Sequence, residues 1–136
     1  MIEYFSDKEI NTQQFKELLQ RSSLSERRPI DDDDCLTQMV TNADVMITAW
    51  HEETLVGVAR SVTDYSFCCY LSDLAVDQRF QNQGVGRRLQ LLTLDQLGPK
   101  CTLILLAAPA AHSYYEHLGF TAHPRCWVIE PGQQIR

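Results

Sequence analysis

The sequence predicts a mixed α/β fold: a mixed, mostly antiparallel sheet of about seven strands, with a parallel pair in its middle and helices on its faces. Two observations predict it. Val45 to Trp50 and Leu55 to Val62, rich in β-branched and aromatic residues and separated by the turn-like His51 to Thr54, read as an antiparallel hairpin. Thr102 to Ala107 is a nearly continuous apolar run without alternation, as expected of a central strand covered on both faces. The helix before that run supplies the right-handed crossover that would lay it parallel to the strand ending at Val76.

The elements follow in the order β-α-α-β-β-β-α-β-α-β-β. Ile2 to Phe5 is a short strand, and Asn11 or Thr12 caps a helix whose Phe15, Leu18 and Leu19 recur at helical spacing. Ser22 to Ile30, containing Pro29, is a loop. Asp31 to Asp34 precede Leu36, Met39 and Val40, so these carboxylates suit the N-terminus of a helix over about Asp33 to Thr41; contact with a cationic substrate is the alternative. After the hairpin, Phe67 to Val76 forms a further strand that ends in the polar stretch Asp77 to Gln83. Gly84 to Leu97 is a helix with Val85, Leu89, Leu92 and Gln96 along one face, stopped by Gly98-Pro99. Ala110 to Leu118 is a short helix closed by Gly119, which is free to adopt positive φ. Phe120 to Ala122 and Cys126 to Ile129 complete the strands.

A length of 136 residues, 44% of them hydrophobic and 22% charged, fits one domain over residues 1–136. The longest apolar run, Leu103 to Ala111, is broken by Pro109 and falls short of the ~20 residues of a membrane helix. Met1 to Asp7 lacks a basic start and an apolar core, so the expected location is the cytoplasm, with no membrane attachment. The five cysteines then read as reduced thiols. A net charge of −6 argues against nucleic-acid binding, which needs a basic face. That sum hides a polarity. Residues 1–78 carry six Lys/Arg against fifteen Asp/Glu, or −9, whereas residues 79–136 carry six against three, or +3. An anionic ligand suits the second half and a cationic one the first, although solvation alone also produces such asymmetry.

Leu74 to Leu89 is the most informative stretch. A strand runs into a polar loop with two glycines that opens a helix, so main-chain N–H groups and the positive helix end converge where a phosphate binds. Side chains at positions 84 and 86 would hold a pyrophosphate away from those amides. Gly84-Val85-Gly86 lacks the third small residue of a dinucleotide fingerprint, and no Gly-Lys-Ser/Thr triphosphate loop is present. A glycine turn that merely starts a helix is the bland alternative.

Gln81-Asn82-Gln83-Gly84-Val85-Gly86 matches the Gln/Arg-x-x-Gly-x-Gly/Ala signature of the GNAT superfamily of N-acetyltransferases. Ser113-Tyr114-Tyr115-Glu116-His117-Leu118-Gly119-Phe120 is similar to that family's aromatic-Tyr-Glu-x-x-Gly-Phe segment. The resemblance implies the acyl-CoA N-acyltransferase fold, with helices on both faces and a parallel pair that splays near Leu105 to Ala107. It implies acetyl transfer from acetyl-CoA to a primary amine, on a small molecule or peptide, by direct attack in a ternary complex. The pyrophosphate would lie on Gln81, Asn82, Gln83, Gly84, Val85 and Gly86 with Arg87, and Arg88 adds charge nearby. Leu74, Ala75 and Val76 would pair with the pantetheine arm as with another strand. A bulge on that strand would help open the slot, and an N–H near Ala75 or Val76 would polarise the thioester carbonyl.

Tyr115 matches the family position of the acid that protonates the leaving thiolate, and Tyr114 that of a packing aromatic. For the base that takes the amine proton, Asp73 is the first candidate; Glu52, Glu53, Asp64 and water alone are others, and Asp73 is equally suited to capping a turn or pairing with Arg60. The asparagine that many members carry after the central strand is absent from Leu106 to Ala111, where His112, Ser113 or backbone groups would substitute. No metal is expected: His112 and His117 are five apart and share no helix face, and Cys68-Cys69 is not a CxxC site. No cysteine has a visible base partner for an acyl-enzyme. The resemblance admits a homodimer with an interface strand at Cys126 to Ile129. A non-catalytic acyl-CoA sensor or interaction module is the alternative function.

Overall fold

The computed structural model describes residues 1–136, which divide into two compact units, Met1–Leu106 and Ala107–Arg136. The first unit holds the sheet. Its strands are β1 (Ile2–Phe5), β2 (Val45–His51), β3 (Thr54–Thr63), β4 (Cys68–Val76) and β5 (Thr102–Ile104), and its helices are α1 (Thr12–Arg21), α2 (Asp33–Thr41) and α3 (Val85–Asp95). The strands lie in the order β1-β2-β3-β4-β5, antiparallel except for the parallel pair β4–β5. The mixed α/β class, the hairpin and the parallel crossover through α3 therefore agree with the sequence reading.

The helix starts have local causes. Asn11 and Gln14 close a capping box on α1, each side chain accepting from the other residue's backbone N–H at 2.8 and 2.9 Å. Asp32 accepts from Cys35 N at 3.0 Å and Asp33 pairs with Lys16 at 3.1 Å, so the aspartate run caps α2 as expected. Phe15, Leu18, Leu19 and Leu36 are fully buried with Val58 and Ala75 on one face of the sheet. Val85 and Leu89 of α3 close the other face over Ile47, Ala49, Val56 and Leu71. Gly57 lets α3 approach β3 closely, since a Cβ there would meet Leu89 at 3.1 Å and Val85 at 3.2 Å.

Beside β3, the register of β4 moves by one residue: Arg60 faces Asp73, but Ser61 faces Leu71. Ser72 is the extra residue of a β-bulge. A one-residue slip exchanges the faces to which side chains point. Accordingly Leu71 packs under α3, whereas Ala75 packs under α1 and α2.

Two expectations are corrected. The sheet has five strands rather than about seven, because Phe120–Ala122 and Cys126–Ile129 form none. Every residue from Thr121 onward is exposed, so these short segments have no buried face to stabilise them as strands. Consequently the parallel pair lies at one edge of the sheet, not in its middle, and β5 is a three-residue edge strand with Ile104 48% exposed. In the second unit, a single turn at Pro109–Ala111 leads into α4 (His112–His117), and Gly119 takes φ +94° as anticipated. No helix is long and apolar enough to cross a membrane.

Candidate functional site

The site begins at the free edge of β4. β5 pairs only Thr102, Leu103 and Ile104, with Cys68, Cys69 and Tyr70, so the last six residues of β4 have no strand paired on that side. The strands part immediately before the Ser72 bulge, and beyond it Leu74, Ala75 and Val76 have no strand paired on that side; Ala75 faces Val58 of β3 as Asp77 faces Val56, so the main-chain groups of Leu74 and Val76 are the ones turned to the open edge.

Buried carboxylates flank those three residues. Asp73, its side chain fully buried, accepts from Arg28 Nε on one oxygen and from Arg60 Nε on the other. The same guanidinium groups reach the bulge: Arg28 Nη2 donates to the Ser72 carbonyl at 2.7 Å, and Arg60 Nη2 to Ser72 Oγ at 2.9 Å. At the other end, Asp77 accepts from Arg21 Nε and Arg79 Nη2, each at 2.8 Å, while its own N–H donates to Val56 O at 2.8 Å. The Arg79 hydrogen bond, joined by those from the Arg79 backbone and Arg21, outweighs burial and holds the Asp77 carboxyl down at about 2.

Asp77 also starts the loop, accepting from Arg79 N at 2.9 Å ahead of a single turn over Gln78–Phe80. Gln81 Nε2 then donates to Val76 O at 3.0 Å, tying the loop to the strand it follows. Asn82 at φ +62° and Gly84 at φ +81° carry the chain through left-handed conformations into α3. Gly84 is the N-cap and supplies no side-chain acceptor. The first helical bond runs from Arg88 N to Gly84 O at 3.0 Å, so the amides of Val85, Gly86 and Arg87 have no helical partner. A Cβ at Gly84 would meet nothing within 4 Å, so the demand for glycine there comes from φ. The Val85 side chain is buried in the core, whereas Gln81, Asn82, Gln83, Arg87 and Arg88 are exposed. Arg88 is close enough to the Tyr4 phenol to oppose the rise that burial gives it.

The remaining base candidates lie in turns. Glu52 takes φ +55° in the hairpin turn, Glu53 is exposed beside it, and Asp64 accepts from the N–H groups of Phe67, Cys68 and Ser66, which lower its pKa. In the second unit, Tyr115 packs edge-on against Tyr114 and Phe120, with ring centroids 5.1 and 5.4 Å apart, and Phe120 N donates to its carbonyl at 3.0 Å. Burial, and secondarily Tyr114, raise the Tyr115 phenol above its ordinary value. No group of three or more His, Cys, Asp or Glu side chains is placed to hold a metal.

Sequence reasoning named Asp73, with pairing to Arg60 as one alternative, but missed that Arg21, Arg28, Ser72 and Asp77 complete the cluster. The available signal was an inward-facing carboxylate on a strand otherwise alternating with apolar residues, which requires a cationic partner.

Residues 3–126 match the family model described as "Acetyltransferase (GNAT) domain". An uncharacterized N-acetyltransferase, ycf52, from Gracilaria tenuistipitata var. liui is 32% identical over 91 residues, covering 62% of this chain and 50% of the relative, so the chain spans about half the length of that curated relative. A Staphylococcus aureus protein described as a probable acetyltransferase superposes with a TM-score of 0.77 at 17% identity, covering 100% of this chain and 99% of the other. A GNAT-family acetyltransferase from Streptococcus pneumoniae gives 0.74 at 19% identity, covering 95% and 98%. These two likenesses speak for the fold. With the family model spanning nearly all of the sequence, the chain belongs to the GNAT acetyltransferase family.

Proposed function

We propose that the chain is an N-acetyltransferase that moves an acetyl group from acetyl-CoA to a primary amine by direct attack in a ternary complex, with residues 1–136 acting as one domain. The observation that carries this reading is the unpaired edge of β4 at Leu74–Val76 running directly into the glycine-capped start of α3. A linear arm with amide groups fits the first feature, as a peptide adds to a sheet edge, and a diphosphate fits the second. The residues present therefore suit acetyl-CoA: Leu74, Ala75 and Val76 for the arm; the main chain of Gln81 to Gly86 and Arg87 for the diphosphate; Arg88 for charge nearby.

Bound there, the thioester supplies the activated acetyl group. Of the two N–H groups expected near the thioester, that of Ala75 faces Val58 of β3, so the Val76 N–H is the one that would polarise its carbonyl. The amine nitrogen would form the new C–N bond as the C–S bond breaks, and the thiolate would take its proton from the Tyr115 phenol, which regains one from solvent. Burial raises the Tyr115 phenol above its ordinary value; the phenol carries its proton at neutral pH with or without that rise, so the role rests on the motif position and not on the shift. Asp73 is less suited to be the base than the sequence alone suggested. Both its oxygens are engaged by guanidinium donors, so accepting a proton would break buried hydrogen bonds. The amine proton passes to water in this reading. A cytoplasmic setting, and a homodimer using the exposed Cys126–Ile129 segment, belong to the same proposal.

A thiol-release assay with acetyl-CoA across polyamines, aromatic amines, amino sugars and peptide N-termini tests it. Release dependent on one amine class is the expected result. Tight acetyl-CoA binding without release for any amine would favour the non-catalytic sensor.

A further inference from the structure

Arg28 lies in the connector between α1 and α2, yet its guanidinium is spent on β4. Nε donates to Asp73, Nη2 donates to the Ser72 carbonyl at 2.7 Å, and Nη1 donates to its neighbour Arg27 O at 2.8 Å. The two β4 acceptors are the extra residue of the bulge and the residue after it, where β4 has just left β5. Arg60 holds the same two residues from β3, through Asp73 and Ser72 Oγ. A bulge disrupts the ladder locally and leaves its main chain less constrained than a regular strand. This one is pinned from both sides by planar donors, which fix direction as well as distance. The following residues, Leu74 to Val76, are the free edge.

We propose that Arg28 is a positioning residue for the pantetheine arm of the acyl carrier. Acting through Asp73 and Ser72, it fixes the bulge that aims the outward main-chain groups of Leu74 and the Val76 N–H at the arm. This inference rests on the acetyl-CoA reading above. Arg28 touches neither the diphosphate loop nor the start of α3; Asp77, with Arg21 and Arg79, anchors that end separately. Loss of Arg28 should therefore weaken the grip on the arm and spare the grip on the diphosphate.

The test is calorimetric titration of the full chain, wild type and Arg28→Gln, with coenzyme A and with its phosphoadenosine diphosphate half lacking the arm. Arg28→Gln is expected to lower affinity for coenzyme A roughly tenfold, the scale of one charge-assisted hydrogen bond, and to leave affinity for the armless half within about twofold. Arg28→Lys keeps the charge but reaches only one of the two β4 acceptors; the same selective loss is expected, and this variant decides the matter if Arg28→Gln does not fold. In steady state the KM for acetyl-CoA rises in both variants. Unchanged affinity for coenzyme A, or an equal loss for both ligands, would overturn the proposal while leaving the acetyl-CoA reading intact. Wild-type protein that binds neither ligand would remove that reading and this inference together.

Discussion

Asp73 is fully buried on β4 and Arg28, 45 positions earlier in the chain, donates to it from the connector between the first two helices. With Arg60 on the other oxygen, the carboxylate is shared between two cations. A carboxylate held this way organises the bulge at Ser72 rather than waiting for a proton. Replacing Asp73 by Asn removes the charge and keeps the shape. The pH–rate profile of Asp73→Asn is expected to keep its acidic limb while the KM for acetyl-CoA rises. Loss of that limb would make Asp73 the base after all.

Removing a partner from a buried charge is expensive. Arg60→Met leaves Asp73 with Arg28 alone and the Ser72 hydroxyl without its donor. Chemical denaturation should show a loss of about 3 kcal/mol. A change within experimental error would mean that the cluster contributes nothing to folding.

Asp77 gives the fold a pH dependence of known sign. Its carboxyl is held at about 2 against an ordinary 3.8, so as pH falls the unfolded chain takes up the proton first. The stabilisation is complete above about pH 4 and gone below about pH 2, and amounts to roughly 2 kcal/mol at neutral pH. Asp77→Asn should lose that amount at pH 7 and show a flatter decline between pH 4 and 2. A parallel decline in both proteins would place the titrating group elsewhere.

Much of the fold was legible because its causes are local. The cap at Asn11 or Thr12, the aspartate run before α2 and the Gly84 turn are each written within four residues of sequence; the structure chooses Asn11, adds Gln14 to make a capping box, and chooses Asp32 from the run. Of the clamps, only the pairing of Asp73 with Arg60 was legible, as one alternative for Asp73. Arg28 and Asp73 are 45 residues apart and Arg21 and Asp77 are 56, and no periodicity encodes such pairing. Only the sheet register, shifted by Ser72, turns Asp73 toward the arginines. The two C-terminal strands were overread from short apolar runs, although the absence of any buried face beyond Phe120 argues against them.

Gly84 separates a conformational cost from a steric one. At φ +81° an alanine costs about 1 kcal/mol of stability, and its Cβ meets no protein atom within 4 Å. A loss of coenzyme A affinity larger than that strain would signal a methyl group intruding on the diphosphate. Full affinity in Gly84→Ala would take the ligand away from this turn.

The phenol of Tyr115, raised by burial above 10.0, remains an acid throughout the neutral range. Tyr115→Phe is expected to lower kcat by roughly a hundredfold with the dissociation constant for acetyl-CoA unchanged. An unaltered kcat would take Tyr115 out of proton transfer.

In the proposed function, the open edge of β4 and the amides at the start of α3 together bind an acyl-carrying coenzyme, and calorimetric titration of the purified chain with acetyl-CoA reads that binding without any acceptor. Saturable one-to-one binding near the micromolar range is the predicted result, and no heat of binding at millimolar acetyl-CoA or coenzyme A would contradict it.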